Sequence, residues 1–501
     1  MSVSFDSVPA GYAASGRFIE QHPERRSNGA AVIPQRITFF AQYNAGKTPV
    51  ANIPVQILSL GDIQTRAGRG SMAALMYEAI TRTSGTVDIY WVPLADDSGG
   101  VAATKTITIA TAASSAGTKS FLIGGRKISF AIASGDAATA QATALAAAIT
   151  ADLDNPFTAA AASAVVTLTA RNKGLAPHRL VVIADPDSGD ASAAPGGTTY
   201  TIANGVAGTT DPTLDTALAN LGDAWHTVLV NPYGGFGSEG AAQCASFEAA
   251  FDARIAPSVK RPFAMIMGYS DTMANLVTFA GTRNHPATTI IPVEGSPDPC
   301  WEIAGVAAGL WAASNAAHPG VPCNGLVLTG VRGNASYPVW TGTQRNTVVM
   351  AGASWTRLLA DGTVQLGDMT TTYKTNSQGV ADAGDKWRFT DTIANIQAKE
   401  YSIDALIGSD TYARAVVVDD ASPCDKTYVV RPKTLKGDLF ALVDSWVANG
   451  WSKNAASIKA GITVEINASN AGRLDFYVPD VIAPGLRILA GRYGWAFTAA
   501  N

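Results

Sequence analysis

Hydrophobic and polar positions alternate with a period of two at both ends of the chain. Near the C-terminus Ile462, Val464 and Ile466 alternate with Thr463, Glu465 and Asn467. Asn470 to Gly472 is turn chemistry, and Leu474, Phe476 and Val478 resume the alternation. This pattern predicts a hairpin with one buried face. Pro479, Pro484 and Gly485 stop the sheet. Leu486-Arg-Ile-Leu-Ala-Gly-Arg-Tyr-Gly-Trp-Ala-Phe497 then reads as a third extended segment, with Leu486, Ile488, Leu489 and Tyr493 among its apolar positions. At the other end Val3 and Phe5 alternate within Ser2–Asp6, and Arg17, Phe18, Ile19 and Glu20 form a second short extended piece. Terminal strands of this kind are normally blunted or paired. Two readings follow: each end folds back on its own domain, or each adds a strand to a neighbouring copy, with main-chain hydrogen bonds supplying the affinity.

Between the ends the rhythm changes three times. From Ala30 the segments Ile37–Phe40, Pro54–Leu58 and Val87–Val92 read as strands, and Ser71 caps a predicted helix to Thr81 with Met72, Leu75, Met76, Ala79 and Ile80 on one face. From Ser98 to about Val206 the chain turns Ala/Thr/Gly-rich, with five short predicted strands and one Ala-rich helix over 137–153. Entered and left through Gly-rich links, this stretch is expected to be an insertion exposed on the surface. Strand and helix then alternate from Leu214 to Asn315, which implies a parallel sheet with crossovers. From about Tyr337, Thr347–Met350, Thr356–Leu359 and Val364–Leu366 read as short strands, with Asp361-Gly362 as a hairpin turn. Helices are predicted over 391–407 and 437–449, the second ended by Gly450.

The expected fold class is therefore multidomain α/β and α+β. The divisions are an N-terminal arm and linker over 1–29, an α/β core over 30–98 and 207–336, a β-rich α+β insertion over 99–206, a C-terminal α+β domain over 337–485 containing the 462–478 hairpin, and a C-terminal arm over 486–501.

Composition narrows the function. The 501 residues are too many for one core, and only 15% are charged against 47% hydrophobic, a lean inventory for a solitary soluble surface. Much of the surface is expected to face other protein. A net charge of −4 offers no basic field, so nucleic acid is not expected as a ligand. Cys244, Cys300, Cys323 and Cys424 are scattered without metal-ligand spacing, which predicts buried, reduced thiols and no metal site. The first twenty residues lack an apolar signal core, and the longest apolar runs fall short of a membrane span, so cytoplasmic synthesis and assembly and no membrane partner are expected.

Three local signals suggest chemistry. Gly235-Phe-Gly-Ser-Glu-Gly240 is a literal G-x-G-x-x-G between a predicted strand and helix, the context of a pyrophosphate cradle. Against it, Glu239 would meet the phosphates with negative charge, and no acidic ribose partner lies at the right distance. Gly70-Ser-Met-Ala73 is like the nucleophile segment of subtilisin-like proteases, but none of the five histidines, His22, His178, His226, His285 and His318, has protease-like flanks, and Ser71 as a helix cap is the cheaper explanation. Ala45-Gly-Lys-Thr48 is half a phosphate-binding loop, with Ala41 where the first glycine belongs. No catalytic, cofactor-binding or metal-binding residue is assigned, and the chain is not expected to be an enzyme. A dinucleotide-binding or hydrolytic α/β enzyme is the alternative of another class.

The blocks Gly68-Arg-Gly-Ser-Met-Ala-Ala-Leu75, Trp91-Val-Pro-Leu-Ala-Asp-Asp97, Trp355-Thr-Arg357, Thr371-Thr-Tyr-Lys-Thr-Asn376, Asp391-Thr-Ile-Ala-Asn395 and Gly472-Arg-Leu-Asp-Phe-Tyr-Val-Pro479 together resemble the contractile-tail sheath proteins of bacteriophages, closest to the Mu-like group. Trp495 to Asn501 departs from the family in being longer and more polar. The resemblance implies a subtilisin-like topology for the α/β core. It also implies hexameric rings stacked in a helix around a tail tube, with baseplate and tail terminator proteins as further partners, in the tail of a virion. In such a lattice the arm residues Arg17, Phe18, Ile19 and Glu20 and the arm residues Leu486, Ile488, Leu489 and Tyr493 would each add a strand to a neighbour's hairpin at Ile462, Val464, Ile466, Leu474, Phe476 and Val478. The sheath of a tailocin or related injection machine is the alternative within the same class.

Overall fold

The computed structural model describes residues 29–493 apart from 335, 337, 338, 382–386 and 425. Among the described residues the chain divides into two compact units, one of residues 32–401 with 482–493 and one of residues 29–31 with 402–481; the division falls within the helix Thr390–Ile407.

The larger unit is built on a six-stranded sheet. Five parallel strands, Arg36–Gln42, Asp88–Leu94, Val228–Asn231, Ala264–Tyr269 and Thr288–Pro292, run in the spatial order 2-1-3-4-5, a doubly wound order, and the two-residue strand Val55–Gln56 closes one edge antiparallel to Asp88–Leu94. The strands are buried along most of their length because helices cover both faces. Phe39 and Phe40 are adjacent in one strand and so point to opposite faces. Phe39 meets Tyr77 of the helix Met72–Thr81 at 6.5 Å between ring centroids, and Phe40 meets Phe247 of the helix Ala241–Arg254 at 5.1 Å. The helix Cys300–Ala317 is buried over most of its length and packs on Met72–Thr81. Gly309 makes that approach: a Cβ there would lie 2.7 Å from the Ile80 carbonyl oxygen.

Within the same unit, residues 102–204 form a four-stranded antiparallel sheet in the order Tyr200–Asn204, Ala102–Ile109, Val165–Lys173, Phe157–Ala162. A three-stranded sheet, Arg126–Ile132, Gly117–Ile123, Val182–Ala184, joins it. The helix Ala138–Ala151 contributes Ala142, Leu145 and Ile149 to the shared interior. Asp154 ties this part to the core by accepting from the Arg69 guanidinium at 2.9 and 2.6 Å.

The smaller unit packs around the helix Pro432–Ala448, whose Leu435, Leu439, Leu442, Val443 and Trp446 are buried, and the Trp446 indole donates to Ser402 Oγ at 2.9 Å. Trp451, Ile458 and Ile462 are buried in the same unit.

Local signals decide where sequence and structure part. Thr347–Met350, expected as a strand, lies in the helix Gly342–Ala351. Thr341 and Gln344 form a reciprocal capping box at its start, and Gly352 ends it at φ +91°. Two strong end signals outweigh the β-branched Thr347, Val348 and Val349, of which only Val348 is buried. The helix expected over 437–449 begins five residues earlier, with Pro432 at its first position. Leu60–Ala67 is a helix that the hydrophobic pattern does not predict, started by Ser59 Oγ accepting from Asp62 N at 3.2 Å.

His226 is a buried, satisfied core histidine. Its Nδ1 accepts from Thr38 Oγ1 at 2.6 Å and its Nε2 donates to the Leu221 carbonyl at 3.3 Å. Burial, with Arg254 and Arg36 nearby, pushes the imidazole down to about 4. A depressed histidine contributes stability that is present above the unfolded value of about 6.5 and lost as pH falls through the window to about 4. The full effect is on the order of 3 kcal/mol. Glu302, pushed up to about 7 by burial, opposes this trend, so the histidine is isolated by difference. Urea midpoints at pH 7.5 and 5 fall further for the native chain than for His226→Gln; equal falls would remove the histidine from the account.

Candidate functional site

The hairpin that the sequence predicts is present in the smaller unit as Thr463–Ile466 paired antiparallel with Leu474–Tyr477. Its turn is held by Asn467, whose Oδ1 accepts from Ser469 N at 2.9 Å and Asn470 N at 3.0 Å, and whose amide donates to Asp475 at 2.7 Å. In the register Val464 lies opposite Phe476 and Ile466 opposite Leu474. Residues directly opposite share a face, so Ile462, Val464, Ile466, Leu474, Phe476 and Val478 line one side. That side is covered unevenly. Ile462 is buried, Val464, Ile466, Leu474 and Val478 are half-buried, and Phe476 is exposed. The helix Pro432–Ala448 packs on the strand Thr463–Ile466, and the same helix accepts the Ala30 N–H on Ser445 Oγ at 2.7 Å. Among the described residues the hairpin has no third strand, so both its outer edges carry backbone donors and acceptors outside any ladder.

The opposite face carries Thr463, Glu465, Asp475 and Tyr477. Glu465 and Asp475 are directly opposite each other, a like-charge pairing that costs stability. The Asn467 amide and Arg473, the latter 2.6 Å from Asp475, offset part of that cost and hold the half-buried Asp475 carboxyl low.

In the larger unit the C-terminal segment from Ile482 to Tyr493 has no regular structure apart from one isolated bridge residue. Arg487 fixes it: the guanidinium pairs with Asp391, lies 3.7 Å from Asp368, and stacks 3.5 Å from the Phe389 ring centroid. Around this staple the apolar side chains stand in solvent, Leu486 at 74%, Ile488 at 83%, Leu489 at 88% and Tyr493 at 87% exposure. Sequence reading found the four apolar positions and missed the arginine; its signal is the block at Asp391, 96 residues away. The expected N-terminal residues Arg17, Phe18, Ile19 and Glu20 lie outside the described residues, as do Trp495 to Asn501. The six hairpin residues thus share one side of the hairpin, and the four arm residues are each exposed along an irregular segment.

The three chemical signals resolve into packing. In the 235–240 loop Gly235 has φ +111° and a Cβ there would lie 2.3 Å from Cys300 Sγ, while one at Gly240 would lie 2.7 Å from Gly234 Cα. Gly237 N donates to Asp271 at 2.9 Å and Glu239 accepts from Arg179 at 3.0 Å. Ser71 is fully buried; its hydroxyl donates to the Gly68 carbonyl at 2.7 Å and accepts from Ala74 N at 3.1 Å. Lys47 of the 45–48 turn donates to the Thr65 carbonyl at 2.9 Å.

A doubly wound sheet binds ligands beyond the carboxyl ends of its strands, at the point where strand order reverses. Here that point lies between Arg36–Gln42 and Val228–Asn231. Gln42 donates there to Asp96 at 2.7 Å and to the Lys173 carbonyl at 2.8 Å, and Asn172 donates to the Tyr43 carbonyl at 2.9 Å while accepting from Met72 N at 2.9 Å. Gln42, Asn172, Asn231 and Tyr233 are all buried, so the strand ends themselves, together with Asn172 and the Lys173 carbonyl of the 102–204 region, occupy the place. The thiols of Cys244, Cys300 and Cys323 are buried and pushed up to about 12, 11 and 12, which keeps them protonated.

No protein-family profile matches the chain. Along 491 residues it is 26% identical to the Mu-like prophage FluMu tail sheath protein of Haemophilus influenzae, covering 98% of this chain and 99% of that one. Among solved structures, the sheath tail protein from Desulfitobacterium hafniense aligns at 11% identity over 93% of this chain and all of that one, with a TM-score of 0.47. The helical sheath of the anti-feeding prophage in its contracted state aligns at 12% identity over 97% of this chain and all of that one, with a TM-score of 0.48.

Proposed function

We propose that this chain, a contractile-tail sheath protein of the Mu-like group by its full-length similarity to the prophage sheath, polymerises around a tail tube by exchanging strands between copies. Stacked hexameric rings tied in this way contract and drive the tube through a host envelope. The subunit is a component of the virion tail, assembled in the host cytoplasm, and works with a tube protein, a baseplate and a tail terminator. The subtilisin-like kinship of the core belongs to the same reading and rests on the family resemblance.

The observation that carries it is the pairing of surpluses. One surface is a two-stranded hairpin with open edges and a half-covered apolar face; the other is an arm that exposes Leu486, Ile488 and Leu489 beside a fixed Arg487. A third strand on the hairpin satisfies edge donors and acceptors and covers Phe476. A neighbour's Arg17 or Arg492 laid across Glu465 and Asp475 also relieves the like-charge pairing. Contraction then needs no catalytic centre, because subunits swing as rigid bodies while their exchanged strands stay paired. Each added backbone bond is worth only about 1 kcal/mol, but the sum runs over every subunit. The filled crevice at the strand ends and the engaged hydroxyl of Ser71 support a non-enzymatic subunit.

Expressed alone and imaged in the electron microscope, the full chain forms long striated cylinders. Dispersed small particles at the same concentration would contradict the proposal.

A further inference from the structure

The strand-exchange reading leaves one surface of the larger unit unused. The short strand Val55–Gln56 ends the six-stranded sheet, and no further strand lies beside it among the described residues. Next to it runs an open groove of about 700 Å³ whose walls include Pro49, Val50, Ile53 and Trp91, with Lys47 and Arg66 at the rim. Val50 is 73% exposed and Ile53 44%. An apolar groove along a sheet edge, with the Lys47 ammonium at its rim beside the Arg66 guanidinium, which pairs with Asp62 at 2.6 Å, fits an extended peptide with alternate apolar side chains and an acidic one.

The chain supplies that chemistry. In Ser2-Val-Ser-Phe-Asp6 the apolar Val3 and Phe5 fall on one side of an extended segment and Ser4 and Asp6 on the other. Asp6 is the sole charged residue of the first sixteen. The segment also has reach: the 28 residues before Gly29 span up to roughly 90 Å when extended. We infer that the groove receives Ser2–Asp6 of a neighbouring copy, with Val3 and Phe5 seated on Val50 and Ile53 and Asp6 turned toward the Lys47 and Arg66 rim. The inference rests on the assembly proposed above, since it needs a second copy, and it adds an anchor beyond Arg17–Glu20.

The test uses the full chain and a fluorescent synthetic peptide of residues 1–10. Anisotropy shows saturable binding that weakens about tenfold or more on Val50→Asp, a change at an exposed position, and about fivefold when the peptide carries Asp6→Lys. In assembled cylinders, Phe5→Cys combined with Ile53→Cys gives a ladder of disulfide-linked chains on a non-reducing gel, and neither single substitution does. Cylinders that form normally with no peptide binding and no ladder overturn this inference and leave the strand-exchange reading standing. Peptide binding without any cylinders does the reverse. A ladder from Leu489→Cys with Ile53→Cys would assign the groove to the C-terminal arm and also overturn it.

Discussion

A chain ending at Arg487 folds as stably as the full chain and forms no cylinders. Ile488, Leu489 and Tyr493 are each more than four-fifths exposed, so their removal takes no apolar area out of the chain's own core. Buried against a neighbour, each side chain is worth about 1.5–3 kcal/mol, and losing three forfeits roughly 5–9 kcal/mol per contact. On an association constant that is several powers of ten. The cut must fall after Arg487. Asp391 is 9% exposed, and burial raises its carboxyl even with Arg487 beside it. A chain ending at Gly485 leaves that carboxylate without its arginine, at a cost of about 3–5 kcal/mol. Urea midpoints therefore fall for the shorter chain and match the full chain for the longer one, while sedimentation shows both unassembled. Equal midpoints for the two cuts would deny Arg487 its role as a staple.

Gly235→Ala destabilises the larger unit by about 2–5 kcal/mol, the sum of overpacking against Cys300 and a left-handed backbone that a side chain resists. The contact is explicit: the new Cβ would meet Cys300 Sγ at 2.3 Å and Cys300 Cβ at 2.9 Å. Gly237→Ala is the internal control, because φ is +52° there but nothing lies within 4 Å, leaving only the backbone term of about 1–2 kcal/mol. Urea denaturation of both variants measures the difference. If the two cost the same, the loop is not shaped by packing on Cys300 and the phosphate-cradle reading of G-x-G-x-x-G regains ground.

Much of this fold follows from local rules. Strands such as Val228–Asn231 and Ala264–Tyr269 read as continuous apolar runs because helices cover both faces, and Ser71 announces its helix by capping it. The hairpin was equally legible, since alternation on both sides of Asn470–Gly472 places six apolar residues on one face. The helix Gly342–Ala351 was not, because β-branched residues at its centre read as a strand and the deciding signals sit at its ends. The staple at Arg487 was invisible for another reason: it is a contact across 96 residues, and no local pattern encodes it. The Glu465–Asp475 pairing likewise depends on the exact register set by the Asn467 turn. What remained illegible in the candidate site is thus long-range pairing and register; its apolar positions were plain.

The central claim is that both ends of this polypeptide complete sheets in other copies. Negative-stain images of the full chain, of residues 25–501 and of residues 1–487, prepared side by side at equal concentration, test it most directly. The account predicts striated cylinders from the full chain and only soluble particles from either clipped chain. Clipped chains that stack into cylinders of normal width and striation would contradict it.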